Sequence, residues 1–179
     1  MAPYRATLTA TGPGLRLVGG TASGHSVLFD TEEGDSAARP MEVLLAALGA
    51  CGGMDVLSIM RKKQQPIGFY HVRVEGERRD EHPRIFTEIR VVHEVEGPGV
   101  DVAALKRAIE LSAGRYCSIS AMLSSGVVKI SHWYVLRGAT PGDDEVGEVM
   151  VTGPYLEPGT ALADQPAPAA STAGTKPTA

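Results

Sequence analysis

The stretch "LLAALGACGGMDVLSIM", residues 44–60, is the one long apolar run in the chain, and it decides the fold. Apolar side chains occupy every side of the helix that this run predicts, which is typical of a buried helix. Pro40 suits the first residue of a helix, so we predict a helix from Met41 to about Lys63 that closes on the basic "RKK" segment. One aspartate and three glycines interrupt the run, which favours a fully buried helix of a soluble protein over a membrane span.

Short strands are predicted on both sides of this helix. Ahead of it, "YRATLTATGPGLRLVGG" and "GHSVLFD" indicate two or three short strands broken by Gly and Pro turns. After it, "FYHVRVEGERR" and "IFTEIRVVHEVEG" alternate polar and apolar residues and predict an antiparallel hairpin across "DEHPR". The order of strands and helices, without regular βαβ alternation, favours an α+β fold with an antiparallel sheet.

A second helix and a last strand follow the hairpin. The segment "DVAALKRAIELSAG" predicts a helix with Asp101 as its N-cap that ends at Gly114. After it, "RYCSISAMLSSG" indicates a short helical turn, and "VVKISHWYVL" indicates a strand. These elements place the organised domain in residues 1–136.

The composition changes to Gly, Pro, Ala, Thr and acidic residues from Arg137 onward. We assign residues 137–159 to an extension of uncertain structure, in which "EVMVTGPYLE" is an extra strand, a docking segment for the tail, or part of an unstructured linker. Residues 160–179 contain almost nothing that a core could bury, so we predict a disordered tail.

The charge balance excludes a general attraction to phosphates. The chain has 179 residues, 17 basic against 21 acidic, and a formal net charge of −4. Neither a nucleic-acid partner nor an anionic membrane surface is therefore expected. The N-terminus "MAPYRATLTATGPG" lacks the features of a secretory signal, so we expect a cytoplasmic protein whose resting thiols are reduced.

The two cysteines, Cys51 and Cys117, form neither a CxxC motif nor a zinc site. They are either small buried hydrophobic residues or a thiol pair that meets in the fold. Glycines at 49, 52 and 53 each cost a helix about 1 kcal/mol, which indicates close approach of another helix or access of a substrate to the sulfur. A reactive Cys51 needs a nearby cation. No Arg or Lys lies between residues 40 and 60, so the cation must come from elsewhere in the fold or from a partner subunit.

The two cysteine segments carry a family resemblance. "RPMEVLLAALGACGGMDVLSIM", "YHVRVEGERRDEHPRIFTEIRVVHEVEG" and "LKRAIELSAGRYCSISAML" together resemble the OsmC/Ohr family of hydroperoxide-detoxifying proteins, in its OsmC-like branch, over about residues 5–136. The resemblance implies an intertwined homodimer with antiparallel sheets wrapped around two long central helices. A helix that is apolar all round, beside one modest sheet, also needs cover from a second copy of the chain.

The resemblance also implies a chemistry. Cys51 is the peroxidatic thiol of a peroxidase that reduces organic hydroperoxides or hydrogen peroxide and becomes a sulfenic acid. Cys117 then condenses with it to form a disulfide, which a dithiol or lipoylated protein reopens. No metal, haem or flavin cofactor is expected.

In the family, an arginine from the N-terminal strands faces the reactive sulfur across the dimer, and a glutamate orients it. Arg16 in "GLRLVGG" is the candidate arginine, with Arg78, Arg79 and Arg115 as alternatives. Glu42 is the candidate glutamate, but Met41 stands where the organic-hydroperoxide branch has its glutamate. Glu42 is alternatively an ordinary first-turn acid that stabilises the helix. The alternative function is then a non-catalytic or slowly cycling redox-sensing or ligand-binding module. Asp55, one turn after Cys51, is expected to have a structural role.

Overall fold

The computed structural model of the chain describes residues 4–126, 128–140 and 142–151. It contains seven strands, which are β1 (Ala6–Ala10), β2 (Leu17–Thr21), β3 (Ser26–Phe29), β4 (Phe69–Arg78), β5 (Phe86–Glu96), β6 (Lys129–Leu136) and β7 (Glu145–Val149). The helical elements are α1 (Pro40–Lys62), α2 (Val102–Leu111), a five-residue π-turn (Ser112–Tyr116) and α3 (Ser118–Ser124).

The strands form two separate sheets. The N-terminal sheet has the order β1-β2-β3 with antiparallel pairing throughout, and the large sheet has the order β4-β5-β6-β7. In the large sheet, β4 and β5 form the predicted antiparallel hairpin, whereas β5 and β6 run parallel. The parallel pair departs from the all-antiparallel sheet expected from the sequence, because the helical elements between β5 and β6 return the chain to the same end of the sheet.

The extension after Arg137 contributes to the large sheet. Strand β7 pairs antiparallel with β6, with Leu136 opposite Glu145 and His132 opposite Val149. Ordered structure therefore continues beyond the boundary at residue 136. The predicted disordered tail, residues 160–179, lies outside the described residues.

Helix α1 begins and ends as the sequence predicts. Pro40 is its first residue, and the Glu42 carboxylate accepts a hydrogen bond from the backbone N–H of Arg39 at 2.9 Å. Arg61 and Lys62 lie in its last turn, where positive charges interact favourably with the negative end of the helix dipole.

The end of α2 differs from the prediction. Asp101 caps the helix as expected, because its carboxylate accepts the N–H of Ala103 at 2.9 Å. Gly114 does not end it; the helix widens into the π-turn, in which the Cys117 N–H donates to the carbonyl of Ser112 at 2.8 Å. This geometry brings Cys117 to the N-cap of α3.

The core consists of two clusters. The first packs the C-terminal half of α1 against α2 and the end of β5, around Val56, Met60, Leu105, Ile109 and Val95. The second packs the N-terminal half of α1 against β5 and Cys117, and its buried members are Leu48, Phe86, Ile89, Val91 and Cys117.

Helix α1 is not fully buried within one chain. Only 28% of the residues in its most apolar stretch are buried, although the mean hydropathy of that stretch is 1.9. Such a length and hydropathy would also suffice for a membrane span, but a core helix passes the same test. The expectation of full burial is therefore wrong for a single chain, because the large sheet and α2 cover part of the helix only.

Candidate functional site

The fold brings the two cysteines into contact. Cys51 lies in the middle of α1, and Cys117 lies at the N-cap of α3. Both side chains pack in the second core cluster, the Cys51 thiol is one of the groups that raise the pKa of Cys117, and neither cysteine is in a disulfide. Cys51 is partly exposed, whereas Cys117 is 3% exposed. A solvent-accessible thiol and a buried thiol therefore face each other.

The environment of Cys117 keeps its thiol protonated. Burial, followed by the neighbouring Cys51 thiol, raises the pKa of Cys117 to about 12. The backbone N–H of Ser120 donates to its sulfur at 3.4 Å and opposes this shift, but it does not outweigh burial. Cys117 is thus a neutral thiol at physiological pH.

The glycines around Cys51 admit neighbouring elements of the same chain. A Cβ at Gly49 would lie 2.9 Å from the Val74 Cγ2, and a Cβ at Gly53 would lie 3.1 Å from the Val72 Cγ2. Strand β4 therefore packs against the backbone of α1 at these two positions. The sequence indicated that another helix or a substrate approaches α1 closely at these glycines. The close neighbour is instead strand β4.

The face of α1 that carries Gly49 and Gly53, opposite Cys51, also borders an apolar groove. A cavity of about 680 Å³ lies between this face and β4, and its walls include Leu45, Ala46, Met54, Leu57 and Val72. Met54 is 71% exposed. This groove and the Cys51 face lie on different sides of the same helix.

Arg16 lies outside the immediate surroundings of Cys51. It precedes β2, and its guanidinium is one of the groups that lower the pKa of Asp30, although hydrogen bonds from Ser36 and Thr31 contribute more to that shift. The N-terminal sheet makes few contacts with α1 or the large sheet among the described residues. Within one chain, the carboxylate beside Arg16 is therefore that of Asp30.

The other candidate arginines have partners of their own. Arg78 donates to the carbonyl of Arg84 at 2.7 Å, and Arg79 donates to the carbonyl of Pro83 at 2.6 Å. Arg115 lies over the ring of Tyr116, 5.8 Å from its centroid. Across the described ranges, no hydrogen bond joins an arginine or lysine to the Cys51 sulfur.

Glu42 serves the start of α1. Its carboxylate pairs with the Arg39 guanidinium at 2.8 Å, and hydrogen bonds from the backbone and side chain of Arg39 lower its pKa. Glu42 precedes Cys51 by about two and a half helical turns, which places the two on opposite faces of α1. Within one chain, Glu42 therefore does not reach the Cys51 thiol. Its contacts agree with the alternative role, that of a first-turn acid that stabilises the helix.

Asp55 contacts the π-turn. The Ser112 hydroxyl lies 3.2 Å from Asp55 Oδ2 and 3.3 Å from the carbonyl oxygen of Gly52. Burial raises the pKa of Asp55, and the hydrogen bond from Ser112 opposes that rise. The structural role expected for Asp55 agrees with these contacts, but its partner Ser112 was not identified from the sequence.

A buried polar cluster was also missed. The Tyr70 hydroxyl is hydrogen-bonded to His93 Nδ1 at 2.7 Å, and the rings of His93 and His132 stack with centroids 6.4 Å apart. Burial lowers the pKa of His93 to about 3 and that of His132 to about 4, so both rings are neutral at physiological pH. His93 shares the alternation of Ile89, Val91 and Val95 in β5, and that pattern could have identified it as buried.

Three comparisons describe what the chain is similar to. A family model described as "OsmC-like protein" matches residues 33–132. The protein YhfA of Escherichia coli strain K12 is 44% identical over 126 residues, which are 70% of this chain and 93% of YhfA. A hypothetical protein of Aquifex aeolicus has 29% identity and a TM-score of 0.66, over 77% of this chain and 100% of that one. An organic hydroperoxide resistance protein of Elizabethkingia anophelis has the same fold at 17% identity, with a TM-score of 0.57 over 77% of this chain and 98% of that one.

Proposed function

The chain belongs to the family of OsmC-like proteins, and from that premise we propose that it is a cysteine-based thiol peroxidase for organic hydroperoxides or hydrogen peroxide. The Cys51 thiolate attacks the terminal peroxide oxygen, the O–O bond breaks, and an alcohol or water leaves after protonation. Cys51 becomes a sulfenic acid. The Cys117 thiol then attacks the Cys51 sulfur, a disulfide forms, and water leaves.

The observation that carries this proposal is the contact between the two thiols. Two cysteines that are distant in sequence pack together in one cluster of apolar residues, and the Cys51 thiol is close enough to help raise the pKa of Cys117. The shared fold with a hydroperoxide resistance protein adds support of a weaker kind.

The different burial of the two thiols supports the division of their roles. The partly exposed Cys51 is accessible to a small peroxide, whereas Cys117 is buried and holds its proton. Peroxide attack needs a thiolate, so Cys117 is poorly suited to the first step. Its place beside Cys51 favours the second step, in which the Cys117 proton leaves with the sulfenic hydroxyl as water while the S–S bond forms.

A second copy of the chain completes this site in our proposal. Leu8 is 56% exposed and Leu15 is 75% exposed on the N-terminal sheet, and Met54 on α1 is 71% exposed. A homodimer would cover these apolar surfaces and could bring Arg16 of one chain to Cys51 of the other, where its charge would favour the thiolate.

Recovery of the dithiol needs an external reductant. We propose that a dithiol, such as a lipoyl group on a protein, attacks the Cys51–Cys117 disulfide and takes it back to two thiols. No step in this cycle uses a metal, a haem or a flavin. The cytoplasm is the proposed location, because its reducing poise keeps such thiols ready.

Thiol counting by mass spectrometry tests the proposal. The reduced protein is mixed with cumene hydroperoxide, beside Cys51→Ser and Cys117→Ser variants. We expect an intramolecular disulfide in the wild type, a trappable sulfenic acid on Cys51 in Cys117→Ser, and no oxidised Cys117 in Cys51→Ser. If Cys51 stays a thiol at millimolar peroxide while a peroxiredoxin control oxidises, the peroxidase proposal is wrong.

A slowly cycling redox sensor or ligand-binding module is the second candidate. It is favoured by Met41 at the position of the expected glutamate and by the engagement of Glu42 with Arg39. Steady-state turnover with a lipoyl-based reductant separates the two candidates. A single stoichiometric oxidation without repeated turnover would favour the sensor.

A further inference from the structure

The π-turn links the two cysteine-bearing helices through one residue. Ser112 is the first residue of the turn, and its carbonyl accepts the N–H of Cys117 at 2.8 Å. This bond spans five residues, one more than in an α-helix, and such widened turns are frequent at functional sites. The backbone of Ser112 therefore fixes where Cys117 leaves the helix.

The side chain of Ser112 is hydrogen-bonded to α1, the helix that carries Cys51. Its hydroxyl lies 3.3 Å from the carbonyl oxygen of Gly52, the residue after Cys51, and 3.2 Å from the carboxylate of Asp55, one turn later. The residue is 2% exposed, so water does not replace these partners. A hydroxyl has one proton, and here two acceptors at similar distances share it.

We propose that Ser112 is a positioning residue that sets the distance between the Cys51 and Cys117 sulfurs, through its carbonyl on one side and its hydroxyl on the other. The proposal rests on the proposed function, because the reaction that needs this distance is disulfide formation. In that reaction the Cys51–OH and Cys117–H bonds break, an S–S bond forms, and water leaves. Ser112 touches neither sulfur in this role and acts only through Gly52, Asp55 and the amide of Cys117.

The chemistry of Asp55 agrees with this arrangement. The ion pairs of the described residues include none to Asp55, so its carboxylate is partly buried without a cation, and burial raises its pKa. A hydrogen-bond donor offsets part of such a burial cost. Ser112 supplies that donor, so separating the π-turn from α1 would leave Asp55 without it.

Equilibration with glutathione measures the positioning directly and needs no peroxide. Oxidised glutathione takes two electrons from the Cys51–Cys117 dithiol and becomes two molecules of glutathione, so the equilibrium constant reports how well the two sulfurs are aligned. We expect Ser112→Ala to lower this constant by about tenfold, because small misplacements of reacting groups have effects of that order or more. Asp55→Ala should lower it in the same direction, whereas Asp55→Asn, which keeps an oxygen acceptor, should restore most of it.

Ser124→Ala is the matched control. The Ser124 hydroxyl donates only to the carbonyl of Ala121 within α3, so its removal changes a serine without touching α1. It should leave the constant at the wild-type value. The Asp55→Ala and Asp55→Asn pair tests the same contact if Ser112→Ala does not fold.

Peroxide treatment gives a second measurement, which would not change if Ser112 had only a structural role. Ser112→Ala should oxidise Cys51 at the wild-type rate but accumulate more dimedone-trapped sulfenic acid, because only the condensation is slowed. A constant equal to that of Ser124→Ala, or equal values for Asp55→Ala and Asp55→Asn, would overturn the proposal. A wild-type protein that forms the disulfide with glutathione but ignores peroxide would refute the peroxidase function and leave the role of Ser112 intact.

Discussion

The two sheets of this protein differ in what covers them. The large sheet packs on α1 and α2, and its strand β5 has Ile89 and Val95 fully buried. The N-terminal sheet has complete strand pairing but little cover, and every residue of β1 is exposed. Backbone hydrogen bonds form in both sheets, yet burial of apolar surface is the dominant source of stability. The large sheet is therefore stabilised within one chain, whereas the N-terminal sheet has little apolar cover among the described residues.

The largest difference in the free energy of unfolding is expected between a Leu→Ala substitution in the packed core and one in the N-terminal sheet. Leu105 is fully buried in the first core cluster, so Leu105→Ala should lower the free energy of unfolding by about 2–5 kcal/mol. Leu8 is 56% exposed, so Leu8→Ala should change the monomer by less than about 0.5 kcal/mol. Urea unfolding at protein concentrations below dimer formation checks both values. Leu105 lies on α2, which packs on the large sheet, so equal losses would show that Leu8 is covered as well as this core.

The next largest difference in stability is expected between a Gly→Ala substitution in α1 and one in the N-terminal sheet. Gly49→Ala would place its Cβ 2.9 Å from Val74 in the packed region, and overpacking of this kind should cost about 1–3 kcal/mol. Gly19→Ala in β2 would place its Cβ 3.0 Å from the ring of Phe29, which is only partly buried and can turn away. We expect its effect to be smaller than that of Gly49→Ala. Thermal unfolding of both variants measures the difference, and a larger loss for Gly19→Ala would contradict it.

Acid should destabilise the large sheet through its buried histidines. The pKa of His93 is lowered to about 3 and that of His132 to about 4, against about 6.5 for an unfolded histidine. Because the folded values are depressed, the neutral rings contribute stability above pH 6.5 that is lost as the pH falls toward 4. The loss should reach about 1.4 kcal/mol per pH unit for each histidine.

Urea unfolding at several pH values measures this slope. His132→Gln should reduce it, because one buried titrating ring is removed. His25→Gln, at an exposed position beside the N-terminal sheet, is the control and should keep the wild-type slope. Identical slopes for the wild type and His132→Gln would show that the buried rings do not govern the acid response.

A charge on the N-terminal sheet should weaken self-association. Leu28 is 42% exposed on β3, and Leu28→Asp would bury a carboxylate if a second copy covers this sheet. We expect the dimer dissociation constant to rise by at least about tenfold, equivalent to about 1.4 kcal/mol. Sedimentation measures it, with the exposed Glu75→Gln in β4 as a control. An unchanged constant for Leu28→Asp would exclude this sheet from the interface.

Local pattern was a good guide to the elements. The continuous apolar run after Pro40 predicted α1, the spaced apolar residues after the Asp101 N-cap predicted α2, and the two-residue alternation predicted the β4–β5 hairpin. The resemblance carried by the cysteine segments led to the OsmC-like family, which the family model and YhfA confirm. The missed features were the parallel β5–β6 pairing, the π-turn and the buried histidines. The parallel pairing depends on residues far apart in the chain, whereas the π-turn is local and the burial of His93 follows the alternation of β5.

The sequence by itself determined which segments form helices and strands, which residues are apolar, and that two cysteines lie in a family-specific order. These properties follow from interactions between residues a few positions apart. Only the tertiary structure decided that Cys51 and Cys117 pack in the same core cluster and that Ser112 joins the π-turn to α1. Such contacts depend on how whole elements pack, because the side chains that meet are set by helix rotation and strand register, and no local pattern encodes either.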